Sequence, residues 1–176
     1  MINETVSLLI SQSDLKKRVT ELAGEISKDF RGKSIKMVCV LKGAVFFLVD
    51  LARELQGEVS IDFMSISSYE DSSISSGVVK IIMDLTNPIR GQDVLLIEDI
   101  VDTGRTLSYV VNHLKAKEPA SLKVCSLLDK PERREVDDVI PNYIGFTIPD
   151  EFVVGYGLDY DQKYRNLPYI GILKMI

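Results

Sequence analysis

The sequence predicts an α/β protein with a mostly parallel central sheet flanked by helices and a smaller subregion near its C-terminal end. Three observations carry this prediction. Apolar runs of strand length alternate with longer segments whose apolar residues recur every three or four positions, as on one face of a helix. That alternation is the pattern of strand–helix–strand units. The last third changes character, with less helix and more short strand-like runs such as FVVGYG and YIGILK.

Taken in order, Ser13 to Phe30 reads as an amphipathic helix, with Leu15, Val19, Leu22, Ala23 and Ile26 at helical spacing and Ser11 or Ser13 as its cap. Ile35 to Leu41 is a continuous apolar run, as suits a strand buried on both faces. A second helix is expected over Val45 to Leu55, then strands around Val59 to Ile66 and Val78 to Leu85. Between those strands lies SSYEDSSISSG, residues 67–77, a polar connection long for a compact domain, of a length that marks either a functional lid or a merely floppy hairpin tip. Asp93 to Glu98 is the next strand, Asp99 to Gly104 a turn, and Arg105 to Lys117 a helix with Leu107, Val110, Val111 and Leu114 on one face. Ser121 to Leu128 closes the series as a further strand.

At 176 residues the chain has the length of a single domain, and neither a linker nor an internal repeat divides residues 1–176. No apolar run approaches the ~18 residues of a membrane span. The first residues, MINETVSLLISQSDLKKR, lack the basic start and small-residue cleavage site of a secretory signal, so a cytoplasmic protein is expected. A net charge of −5 argues against nucleic acid as a partner, because backbone recognition favours a basic surface. Cys39 and Cys125 lie inside the apolar runs MVCVL and LKVCSLL and read as small core residues. Gly32-Lys33-Ser34 is not a P-loop, since Ser27 stands where the first glycine belongs and a strand follows instead of a helix. Gly155-Tyr156-Gly157 is not a dinucleotide fingerprint, since Tyr160 stands at the third glycine. His113 falls on the polar side of its helix, which argues against histidine-based catalysis.

The segment that carries chemistry is VLLIEDIVDTGRTL, Val94 to Leu107. A strand runs into Glu98 and Asp99, and Asp102-Thr103-Gly104-Arg105-Thr106 opens a helix. Ligands of open α/β sheets bind at the carboxyl ends of the strands, where these residues fall. Free backbone N–H groups and the positive end of the helix dipole make such a turn an anion site. Gly104 permits close approach, and the Thr103 and Thr106 hydroxyls add donors. Three carboxylates beside a phosphate site conflict unless the ligand carries phosphate at one end and hydroxyls at the other, which is the form of a ribose 5-phosphate. The plain alternative is a strand ending in acids before a helix capped by Asp102.

This stretch resembles the signature of the type I phosphoribosyltransferases, which bind phosphoribosyl pyrophosphate (PRPP). The resemblance implies the type I phosphoribosyltransferase fold, in which the C-terminal subregion is a small hood. It implies that Glu98 and Asp99 hold the ribose hydroxyls, that the backbone from Asp102 to Thr106 with both threonines holds the 5-phosphate, and that Asp102 is the catalytic acid–base group. Other positions resemble the hypoxanthine-guanine branch of that family. Lys42-Gly43 is similar to its pyrophosphate loop, with Arg165 as a further pyrophosphate ligand. Ser68-Tyr69 is similar to its flap, although Glu70 stands where many members have glycine. Lys130 matches the donor to the purine 6-oxo group. Phe152 to Tyr160 matches the C-terminal signature, in which Phe152 stacks on the purine and the Val153 backbone meets its 2-position edge. By themselves Lys130 would read as a solvated loop residue and Phe152 as a core aromatic. The implied cofactor is Mg2+, with Asp159, Glu98 and Asp99 as metal residues. The implied substrates are PRPP with hypoxanthine or guanine, and the implied assembly is a homodimer or homotetramer. A sister enzyme preferring xanthine, and a regulator that keeps the fold, remain the other readings.

Overall fold

A computed structural model describes residues 4–68 and 79–175. Its main sheet has six strands in the order β4-β3-β2-β5-β6-β7, formed by β2 (Ile35–Leu41), β3 (Val59–Ser68), β4 (Val79–Met83), β5 (Asp93–Val101), β6 (Ser121–Asp129) and β7 (Tyr143–Thr147). Every neighbouring pair is parallel except β3 with β4. Helices α1 (Gln12–Asp29) and α2 (Val45–Glu54) cover one face and α3 (Arg105–Lys115) the other. The period-2 geometry of strands divides the buried residues between the two faces. Met37, Cys39, Leu95 and Ile97 join the α1/α2 core, while Val38, Val40, Val94 and Leu96 join the α3 core.

The helices form where their apolar spacing places them. Leu15, Val19, Leu22, Ala23 and Ile26 are all buried, and Ser11 is the cap, accepting from the Asp14 N–H. Such a cap contributes about 1 kcal/mol. Leu107, Val110, Val111 and Leu114 form the buried stripe of α3. Two polar contacts tie this helix side of the sheet. Asp84 accepts from Lys117 and contacts His113, joining the end of α3 to the turn after β4. Lys36 and Asp62 form an ion pair buried inside the sheet, with Asp62 also accepting from the Phe63, Thr86 and Asn87 N–H groups. Removing one partner from such a pair costs about 3–5 kcal/mol.

A second, antiparallel sheet has the order β1-β9-β8, from β1 (Glu4–Ile10), β9 (Ile170–Met175) and β8 (Val153–Val154). This is the expected hood, with one addition that the sequence reading lacked. Residues 4–10 are one of its strands, paired with 170–175. Other differences are local. β5 does not end at Glu98 but runs on to Val101, because β6 keeps pairing with it through Ile100↔Leu128 and Val101↔Asp129. The 67–77 connection begins inside β3, which extends to Ser68. Tyr69, Glu70 and the rest of the expected flap lie outside the described residues.

Candidate active site

Because β2, β5 and β6 are parallel neighbours, their carboxyl ends stand side by side, and the segment after each contributes to one site. Lys42 and Gly43 follow β2, the Glu98–Thr106 segment ends β5 and opens α3, and Lys130 follows β6. The hood side supplies Phe152, Val153, Asp159 and Arg165.

Gly104 is the N-cap of α3 and adopts φ 85°, a conformation that favours glycine. A side chain there would meet the Val136 carbonyl. The cap position corrects the expectation that Asp102 caps the helix: α3 has no side-chain cap, and Asp102 stands ahead of the turn. The Arg105 N–H at the helix start meets the Thr103 hydroxyl at 3.4 Å, and the first turn of α3 has the polarity that attracts anions. Residues 135 and 136 pin the turn from behind, both donating backbone N–H groups to the Thr103 carbonyl. The Arg105 side chain is committed elsewhere, donating to Glu135 at 2.8 Å, so only its backbone faces the turn.

A cavity of 280 Å³ runs along this edge, lined by Leu41, Glu98, Asp99, Asp102, Thr103 and Thr106 among others. Larger hollows of 470 and 420 Å³ lie elsewhere, one at the amino ends of β2 and β3 and one between α1, α2 and the hood. Neither contains the acids of β5.

Electrostatically the end of β5 is under stress. Glu98 is 5% exposed, and its Oε1 has no hydrogen-bond partner among the described residues. Burial, reinforced by the neighbouring Asp99 charge, raises its pKa well above the ordinary value. Burial likewise raises Asp99 to about 6, against the opposing pull of its backbone hydrogen bonds and of Arg165, with Asp159 pushing upward. Cys39 beneath them is raised to about 12 by burial and by these two acids, which makes it an inert thiol. Perturbed carboxylates in a cleft mark a functional site more often than a structural one.

Three segments meet at Asp99. Gly43 lies so close that a Cβ would collide with the Asp99 carboxylate, and Gly157 lies against the Gly43 carbonyl. Arg165 donates to the Gly157 carbonyl at 2.7 Å and pairs with Asp159 at 2.7 Å. The loop after β2, the acid pair and the Gly157–Arg165 segment are thus one cluster, with Lys42 exposed at its rim. At the end of β6, Lys130 is buried rather than solvated, at 5% exposure. Its backbone N–H is held by the Val101 carbonyl, and its Nζ lies 3.8 Å from Asp150. Phe152 is 53% exposed, edge-on to Tyr160 at 5.7 Å, so the reading of it as a core aromatic fails. Val153 is buried and paired with Ile172. The sequence reading missed Arg133, Arg134 and Asp150. Arg134 pairs with Asp129, and Arg133 reaches both Asp102 and Asp150. The signal lay in Pro131-Glu132-Arg133-Arg134, a single 3-10 turn that returns two arginines toward the site.

Comparison with known proteins places the chain in a family. Residues 9–161 match the family described as "Phosphoribosyl transferase domain", and the chain belongs to that family. Within it, the similarity is to the hypoxanthine-guanine branch. The hypoxanthine-guanine phosphoribosyltransferase of Streptococcus thermophilus is 48% identical over 95% of this chain and 92% of its own length. The crystal structure of a hypoxanthine-guanine phosphoribosyltransferase from Bacillus anthracis superposes with a TM-score of 0.90 at 45% identity, covering 98% of this chain and all of that one. The bifunctional protein TilS/HprT of Listeria monocytogenes is 49% identical over 99% of this chain, which spans only 27% of that longer relative.

Proposed function

We propose that this chain is a purine salvage enzyme that transfers the 5-phosphoribosyl group of PRPP to hypoxanthine and/or guanine, giving IMP or GMP and pyrophosphate. One observation carries the reading: the adjacent acids Glu98, buried with an oxygen unpartnered among the described residues, and half-buried Asp99 line one cavity with the start of α3. The acids are acceptors suited to ribose hydroxyls, and the helix start is suited to a phosphate.

In the reaction the bond from C1′ of the ribose to pyrophosphate breaks and a bond to a purine nitrogen forms. Glu98 and Asp99 orient the ribose, and the Asp102–Thr106 backbone with Thr103 and Thr106 anchors the 5-phosphate. Lys42, the Gly43 backbone and Arg165 stabilise the charge that develops on the departing pyrophosphate. Lys130 donates to the purine 6-oxo group, Phe152 stacks on the ring, and the Val153 backbone meets its 2-position edge. Asp102 takes the proton from N7 as the base becomes a nucleoside monophosphate and returns it in reverse. Its carboxylate lines the cavity, with Oδ1 3.0 Å from Arg133 Nε.

Magnesium fits the donor set. Among the described residues no three acids form a metal cage, but Mg2+ commonly binds through one or two carboxylates plus substrate oxygens. Asp159, Glu98 and Asp99 would hold it, and when bound it would offset the negative charge of pyrophosphate. A symmetric homo-oligomer, dimer or tetramer, belongs to the same reading, as does a cytoplasmic setting. The latter accords with two buried free cysteines and with the lack of any described helix long and apolar enough to cross a membrane.

The test is to incubate the protein with PRPP and magnesium and follow nucleotide formation from hypoxanthine, guanine, xanthine and adenine. Turnover of hypoxanthine or guanine, abolished by chelation, is expected. Silence with all four bases from folded protein that still binds PRPP would overturn the proposal.

A further inference from the structure

Four charged side chains of alternating sign run along the purine side of the site. Asp102 is met by Arg133, whose Nε lies 3.0 Å from its Oδ1. Arg133 Nη1 lies 3.5 Å from Asp150 Oδ1, and the same oxygen lies 3.8 Å from Lys130 Nζ. The ends of this chain are the proposed proton acceptor for N7 and the proposed donor to the 6-oxo group, two neighbouring positions on one purine edge. Its middle members, Arg133 and Asp150, have no part in the mechanism described above.

We propose that Arg133 is a positioning residue that holds Asp102 and Lys130 as a single reader of that purine edge. The inference rests on the phosphoribosyltransferase reading of the site. Two features support it. A guanidinium is a rigid planar fork, so engaging one carboxylate through Nε and another through Nη1 fixes the angle between them. Arg133 Nε lies 3.0 Å from Asp102 Oδ1, so the contact fixes that carboxylate while its remaining acceptor sites stay open to a proton.

The second feature is competition for one atom. Lys130 is buried, and its ammonium lies outside hydrogen-bonding distance of Asp150, so its donors are left for the base. Arg133 draws on the same Oδ1 and keeps Asp150 from closing onto Lys130. Without Arg133 the carboxylate is released to Lys130, and the ammonium that should meet the 6-oxo group is tied up by its neighbour. The substrate class concerned is a purine with an acceptor at position 6 and a proton at N7.

The experiment is steady-state kinetics on the full chain with hypoxanthine and PRPP varied separately. Arg133→Gln is expected to raise KM for the base about tenfold while leaving KM for PRPP unchanged. The double variant Arg133→Gln/Asp150→Asn is expected to bring the base KM back to within about threefold of the parent, because the freed carboxylate is then gone. A purely structural role for Arg133 predicts no such rescue. A base KM in Arg133→Gln within about twofold of the parent, or a double variant no better than the single, overturns the proposal. If Arg133→Gln does not fold, Arg133→Lys is measured with and without Asp150→Asn: it keeps the charge and loses the fork, and the same rescue decides. A parent chain that turns over no base overturns the enzymatic reading itself, which sets that failure apart from a working parent indifferent to Arg133.

Discussion

At the level of single residues, the site is built from groups held in states that folding alone would not choose. Glu98 is buried with an oxygen lacking a partner among the described residues, and burial raises Asp99 to about 6, with Asp159 adding to the rise and backbone hydrogen bonds and Arg165 opposing it. A buried charge without a partner is costly, and such costs gather where a ligand will supply the missing interaction. Asp102 differs from these two, being 38% exposed in its side chain and carrying no helix-capping duty. Its amide variant therefore tests chemistry apart from folding. Asp102→Asn is expected to melt within about 0.5 kcal/mol of the parent and to lose roughly 10²–10⁴ in kcat, read by nucleotide formation beside a thermal melt. An unchanged kcat would remove Asp102 from proton transfer. The residue scale is also where the sequence was most and least readable. Glu98, Asp99 and the Asp102–Thr106 turn stand in one contiguous stretch, so their meeting at one cavity was legible in the sequence. Lys130 and Phe152, read one at a time, pointed the wrong way in burial, because burial depends on what the rest of the chain brings alongside. Arg133 and Asp150 lie far from the motif, and nothing in their spacing joins them to it.

At the level of elements, the parallel order of β2, β5 and β6 does most of the positioning, and it was legible because apolar runs and helical stripes alternate so regularly. The predicted starts and ends of α1, α2, β2 and β6 fall within a residue or two of those observed. β1 and β7 escaped notice for different reasons. β1 lies in a three-stranded sheet, with a partner some 160 positions away in the chain, and most of its residues are half-buried or exposed, so it lacks a buried apolar run. β7 is five residues long and sits at the sheet edge. The tether between α3 and the turn after β4 offers a prediction at this scale. Burial pushes the Asp84 carboxyl up, but hydrogen bonds from Lys117, the Leu85 N–H and His113 outweigh it and bring the pKa to about 2. A carboxyl lowered on folding stabilises the native state above its unfolded value and loses that contribution as pH falls through the folded value. Asp84→Asn should therefore melt below the parent at neutral pH, with the gap closing as pH is taken down toward about 2. Parallel melting curves across that range are the measurement, and a gap that stays constant would mean that the Asp84 charge does not support the native fold.

At the level of the whole molecule, α2, β3 and β4 leave Phe46, Val49, Ile61 and Met83 exposed on one face of the sheet. Clustered apolar surface of this kind is the usual ground of a self-complementary interface, and most soluble assemblies close with two-fold symmetry. Sedimentation equilibrium is expected to return the mass of a dimer or tetramer. Phe46→Asp combined with Ile61→Asp should shift it toward the monomer, and a parent that sediments as a monomer would reject the assembly.

The hood joins residues 4–10 to residues 170–175 and uses the latter to brace the two-residue strand beside Phe152. On a ribosome that arrangement imposes an order of events. The six-stranded sheet and the Glu98–Thr106 segment need only residues up to Thr147 in β7, whereas β1 must wait, unpaired, until almost the whole chain has emerged. The nascent protein can thus own its acids and the start of α3 before it owns Phe152, Asp159 and Arg165. A ribosome stalled late, past β7 but short of β9, holds one half of a site whose other half has not yet been braced.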